Sequence, residues 1–153
     1  MTDTNSTPEF AANSEALTAA TERRVEMKTA ISRVERAAAA PSLKPAWRDD
    51  LVRELDELRI ALDQHIAEVE GEEGLLAELT FDAPRLANRI DAVRREHPEL
   101  CRQLDAAIDR VKATEEVADV RTAVLDSLVA LARHRQKGAD LVYEGYSIDI
   151  GGG

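Results

Sequence analysis

Residues 47–69 read WRDDLVRELDELRIALDQHIAEV, and their apolar positions decide the fold. Trp47, Leu51, Leu55, Leu58, Leu62, His65 and Val69 recur at spacings of four, four, three, four, three and four. Alternating threes and fours keep side chains on one face of an α-helix, so this stretch is the core-facing stripe of an amphipathic helix. A histidine, His65, occupies one position of that stripe.

The same pattern extends in both directions. Upstream, Ser14 is the expected N-cap of a first helix running to about Ala40, with Met27, Ile31, Val34 and Ala38 as its stripe. Pro41 and Pro45 bracket the linker PSLKP before the quoted helix. Downstream, Gly71 and Gly74 interrupt the helix, and LLAEL is expected to continue it as a bent last turn or two. TFDAP is the next break, with Asp82 the expected N-cap ahead of Pro84 in the first turn of a third helix.

That third helix carries Leu86, Ile90, Val93, His97, Leu100, Leu104 and Val111. Pro98 lies inside it and is expected to kink it, since its ring removes one backbone bond. Thr114 is the expected N-cap of a fourth helix, whose stripe is Val117, Val120, Val124, Leu128, Leu131, His134 and Leu141. Gly138 and Gly145 are expected to loosen its far end. Four amphipathic helices with short connections predict an all-α, antiparallel four-helix bundle. Residues 1–13 read as a disordered arm, and residues 14–153 as one bundle domain with a short C-terminal tail.

Composition narrows the partners. The chain has 153 residues, and with aromatics at only 3% its core must be aliphatic. Asp and Glu outnumber Lys and Arg by 30 to 20, and the two signs are interspersed, which argues against nucleic acid and against an anionic membrane surface. No apolar run approaches the roughly 18 residues of a membrane span. The opening MTDTNSTPEF lacks the basic and apolar regions of a signal peptide, and the single Cys101 forms no internal disulfide, so a reduced cytoplasm is expected.

The chain's three histidines, His65, His97 and His134, therefore fall on the core stripes of three successive helices. Their depth can be tested as well. In an antiparallel hairpin, two residues are level when their midpoint falls in the turn. The midpoint of His65 and His97 is Phe81, in the TFDAP break, and that of His97 and His134 falls between Glu115 and Glu116, at the next break. Three imidazoles at one level suit Zn, Fe, Cu or Ni. Three neutral, hydrogen-bonded core histidines are the other reading.

Three segments carry a resemblance: HIAEVEGEEGLL at 65–76, REHPEL at 95–100, and RHRQKGADLVYEGYSIDIGG at 133–152. In order and spacing they resemble the hemerythrin-like (HHE cation-binding) family of four-helix bundles, over residues 47–152. The resemblance implies a non-haem iron site, mono- or dinuclear, that binds or senses O2, NO or peroxide; an enzyme such as a di-iron peroxidase or oxidase would need further carboxylates at the site. It also implies that His65, His97 and His134 match ligand positions, with Glu70 and Glu96 matching acids beside them.

The chain departs from the family pattern four residues after each histidine, where a carboxylate would share the histidine's face. Those positions hold Val69, Cys101 and Gly138. On the first helix, Glu26 or Glu35 would have to reach inward to supply an acid. Cys101 shares a face with His97, so a zinc site is the alternative to iron, or Cys101 is a small buried hydrophobe. Glu144 lies ten residues past His134, about 15 Å along the helix, and reaches the layer only if the helix end folds back. Otherwise it is a surface residue beside Tyr143 and Tyr146, which pack the bundle end. The alternative function is a metal-free bundle serving protein interaction or self-association.

Overall fold

A computed structural model describes residues 14–148. The expected disordered arm, residues 1–13, lies outside the described residues, as do the last five residues of the C-terminal tail.

Five α-helices follow in order: α1 (Glu15–Ala39), α2 (Trp47–Glu70), the short α3 (Leu75–Asp82), α4 (Ala87–Lys112) and α5 (Val117–Tyr143). The four long helices form an antiparallel ring in which α1 packs on α2, α2 on α4, α4 on α5 and α5 back on α1. The structure is thus the all-α bundle that the stripes predict. Every stripe residue is buried except Val117, which is half-buried. No described helix is long and apolar enough to cross a membrane.

Ser14 caps α1 as expected, accepting a hydrogen bond from the Leu17 amide at 3.0 Å. Other boundaries differ from the sequence reading. LLAEL does not prolong α2; with Thr80–Asp82 it forms the separate helix α3, set off by a turn at residues 71–74. Gly74 makes the separation possible, because a Cβ there would lie 2.5 Å from the Glu68 carbonyl oxygen and 2.8 Å from that of Val69. Asp82 consequently ends α3 instead of capping the next helix, which begins after a 3-10 turn at Pro84–Leu86. Thr114 is not an N-cap either. Its φ of 54° is left-handed, which lets it reverse the chain after α4, and Glu116 takes the N-cap position of α5. α4 runs through Pro98, and α5 runs through Gly138 to Tyr143 and ends in a π-helical turn, Glu144–Ile148, that contains Gly145.

The core has two apolar clusters. One fills the half of the bundle around Trp47, Leu55, Leu104 and Val124. The other gathers Val69, Leu79, Ile90, Val93, Leu141 and Tyr146 beneath α3. The histidines lie at the boundary between them. His65 falls between Leu62 and Val69, His97 between Val93 and Leu100, and His134 between Leu131 and Leu141, and each pair of flanking residues belongs to different clusters.

Candidate metal centre

Helical spacing delivers one imidazole from each of α2, α4 and α5 to this boundary, and hairpin registers bring them level. His65, His97 and His134 are only 8%, 2% and 3% exposed. Their ring centroids are 4.8–5.7 Å apart, edge to face. One nitrogen from each ring lies within 4.8 Å of one nitrogen from each of the others.

The nitrogens have distinct partners. His97 Nδ1 lies against Glu70 Oε2 in a short contact. His134 Nδ1 lies 2.9 Å from Glu96 Oε1. The other Glu96 oxygen accepts from Lys137 Nζ at 2.5 Å. Burial works to raise the Glu96 carboxyl, and the hydrogen bonds from Lys137 and His134 outweigh it, leaving it below the usual carboxylate range. Each carboxylate draws the single proton of a neutral imidazole to Nδ1, so Nε2 is left as a bare lone pair. Those two Nε2 atoms face one another at 3.2 Å.

His65 has a buried Nδ1 with no hydrogen-bond partner. Burial, then the neighbouring His134 and His97, push its pKa down to about 3. Burial also lowers His134, against the opposing pull of its hydrogen bond with Glu96. His65 and His134 are therefore held in the neutral state that a metal ligand requires.

The donor set fits a transition-metal ion. Two nitrogens bound to one first-row ion at about 2.1 Å stand roughly 3.0–3.4 Å apart, which brackets the 3.2 Å between His97 and His134. His65 brings a nitrogen within 4.8 Å of the other two rings, and its buried Nδ1 makes no hydrogen bond.

The remaining sequence candidates fall elsewhere. Glu70 and Glu96 reach the outer nitrogens of the imidazoles, opposite the side where the rings converge. Glu96 serves the histidine of the neighbouring helix and not His97, its own neighbour in sequence. Cys101 is half-buried against the apolar core and is not part of the histidine group; burial pushes its thiol up. Glu144 pairs with Arg89 at 2.5 Å and does not fold back to the layer. Of the two tyrosines, Tyr146 packs the bundle end, while Tyr143 is 65% exposed. Glu26 and Glu35 are exposed, the former pairing with Arg23. Among the described residues, no carboxylate joins the three converging nitrogens.

Sequence reasoning missed Arg24 and Arg135, which line a cavity of about 40 Å³ beside the histidines, roofed by Leu75, Leu76 and Leu79 of α3. Arg24 was findable, since it continues the α1 core stripe: Ala20, Arg24, Met27 and Ile31 follow at four, three and four. Against the known protein families, the curated proteins and the solved structures, the chain has no match.

Proposed function

We propose that this chain is a metal-binding helical bundle of the hemerythrin-like kind, holding one transition-metal ion through His65, His97 and His134 for the reversible binding of a small ligand. One observation carries the reading: the Nε2 atoms of His97 and His134 face one another while the Nδ1 of each ring lies against a carboxylate, the arrangement that places the proton on Nδ1. Two lone pairs at that distance repel unless something positive lies between them, and a metal ion bound by both rings removes the repulsion. Imidazole held by a carboxylate on its outer nitrogen is also the usual second layer of metal sites, fixing the tautomer and raising ligand basicity.

A single ion fits better than a pair, because bridging two ions takes carboxylates and none joins the group among the described residues. Iron is the ion that the resemblance implies; zinc is equally suited to three imidazoles with an open position. When bound, the ion supplies a Lewis-acidic, and for iron redox-active, coordination site. The chain's own contribution is to orient the rings, exclude bulk water beneath α3 and leave a small cavity alongside. A small diatomic or peroxide is the matching ligand class.

Elemental analysis of tag-free protein tests the reading. The expected result is about one iron or zinc per chain, with none retained by His97→Ala. Metal in hundredfold excess over its dissociation constant should stabilise the fold by about 2.7 kcal/mol. At this chain length that raises the melting temperature by roughly 5–11 °C over chelated protein. A metal-replete preparation with no stoichiometric ion would return the chain to the interaction-module reading, with a shared proton between the two rings.

A further inference from the structure

The cavity beside the histidines has a charge imbalance. Its walls are largely aliphatic, and two cations interrupt them: Arg24 from α1 and Arg135 from α5. Both side chains are half-buried. Arg23, one residue away, pairs with Glu26 and Glu68, whereas neither Arg24 nor Arg135 has a carboxylate partner among the described residues. The Arg135 Nε is buried with no hydrogen-bond acceptor. Arg24 and Arg135 line the same small cavity, so the two cations face one shared space. The two acids that contact the histidines are already engaged, Glu70 with His97 and Glu96 with His134 and Lys137.

Burying guanidinium without a counter-charge is costly, and such groups are ordinarily paired. The cavity lining has two cations, three imidazoles and no acid. A bound metal ion adds further positive charge.

We propose that this cavity binds a small anion, gripped at its outer end by Arg24 and Arg135 and directed with its inner end at the three histidines. The planar, forked donors of guanidinium suit the oxygens or nitrogens of such a ligand. One water needs about 10–15 Å³ of space measured this way, so the cavity admits an anion of about two to four heavy atoms. The leucine and valine walls disfavour larger, strongly hydrated polyanions. A hydroperoxide, azide, nitrite or formate fits this description, whereas a neutral gas would make no use of the arginines. The inner contact rests on the metal reading above; the outer contact rests on the arginines alone.

Azide is the probe, titrated calorimetrically into tag-free full-length chain, both zinc-loaded and chelator-treated. Zinc keeps redox chemistry out of the measurement. The expected result is one azide per chain, with affinity reduced roughly tenfold or more in both Arg24→Gln and Arg135→Gln, since each loses a charge-assisted bond. Arg135→Lys should retain part of the affinity, and zinc content should not change in any of them. Circular dichroism confirms that the variants are folded.

Azide affinity unchanged in both glutamine variants would overturn the proposal while leaving the metal reading intact. So would the absence of azide binding at millimolar concentration to loaded and chelated wild-type protein alike. Arginine-dependent azide binding by a chain that takes up no zinc would uphold the anion site and overturn the metal reading.

Discussion

His97 and His134 each commit one ring nitrogen to a carboxylate, and that commitment aims the other nitrogen inward. Replacing Glu70 or Glu96 with Gln keeps the shape but removes the charge that holds the proton on Nδ1. Loss of such an outer partner typically weakens metal affinity by about ten- to a hundredfold. Chelator-competition titration should show that loss for Glu70→Gln and Glu96→Gln, with helix content unchanged. Equal affinities would mean that the carboxylates serve packing alone.

His65 governs the pH response of the metal-free protein. Its pKa is about 3 in the fold and near 6.5 when unfolded. Between these values the unfolded chain binds a proton that the folded chain refuses, so stability falls as pH drops from about 6.5 towards 3 and is flat above. The slope from this residue approaches about 1.4 kcal/mol per pH unit, and His134, also lowered, adds to it in the same direction. Urea denaturation of chelated protein from pH 7.5 to 4.5 should show the decline, and His65→Leu should flatten it.

At this scale the three histidines were legible because stripe position and hairpin depth are both written in residue spacing. The roles of the acids were not. Adjacent residues point to different helix faces, so Glu96 cannot orient His97, and which neighbouring ring it meets depends on how α4 and α5 are rotated against one another. Arg135 follows a core histidine directly and gives no periodic sign of its place at the cavity.

Among the elements, α3 departs furthest from its sequence reading. Eight residues give little more than two turns, too few for a stripe to establish a separate direction. The long helices were legible because each repeats its period over six or more turns. The chain reversal that frees α3 depends on the absence of a side chain at residue 74. Gly74→Ala should cost about 1–3 kcal/mol, the usual penalty of overpacking, because the clash at 2.5 and 2.8 Å is with backbone oxygens that cannot swing aside. Gly138→Ala is the contrasting case, since a Cβ there meets nothing within 4 Å. Relieved of a mid-helix glycine, it should gain up to about 1 kcal/mol. Paired urea melts of the two variants should show shifts of opposite sign.

At the scale of the whole molecule, the bundle is clasped at both ends around its polar layer. At one end Arg48 and Arg121 lie over the Trp47 ring, 5.7 and 5.2 Å from its centre, and Arg121 donates to the carbonyls of Ala38 and Ala40 at the C-terminal end of α1. At the other end, next to the cavity, one carboxylate performs the same office. Glu78 of α3 accepts from Ser14 Oγ at 2.6 Å and, on the same oxygen, from the Tyr146 hydroxyl. The apolar clusters on either side of the histidines were legible as a bundle core. The clasps were not, because they join residues as far apart as 83 positions in sequence.

The shared oxygen of Glu78 has a topological consequence. Two side chains that meet on one atom belong to backbone segments separated by little more than their own reach, so the first and last turns of the described residues are neighbours and the path from Ser14 to Tyr146 is nearly a closed loop. Such a thread can be cut and rejoined elsewhere. A circular permutant that links Tyr146 to Ser14 through a short flexible segment and opens at the linker containing Leu43, itself 96% exposed, interrupts none of the helices that carry a histidine. It should keep the helical circular dichroism and the metal stoichiometry of the parent, with the imidazoles supplied in the same spatial arrangement from a rotated chain order.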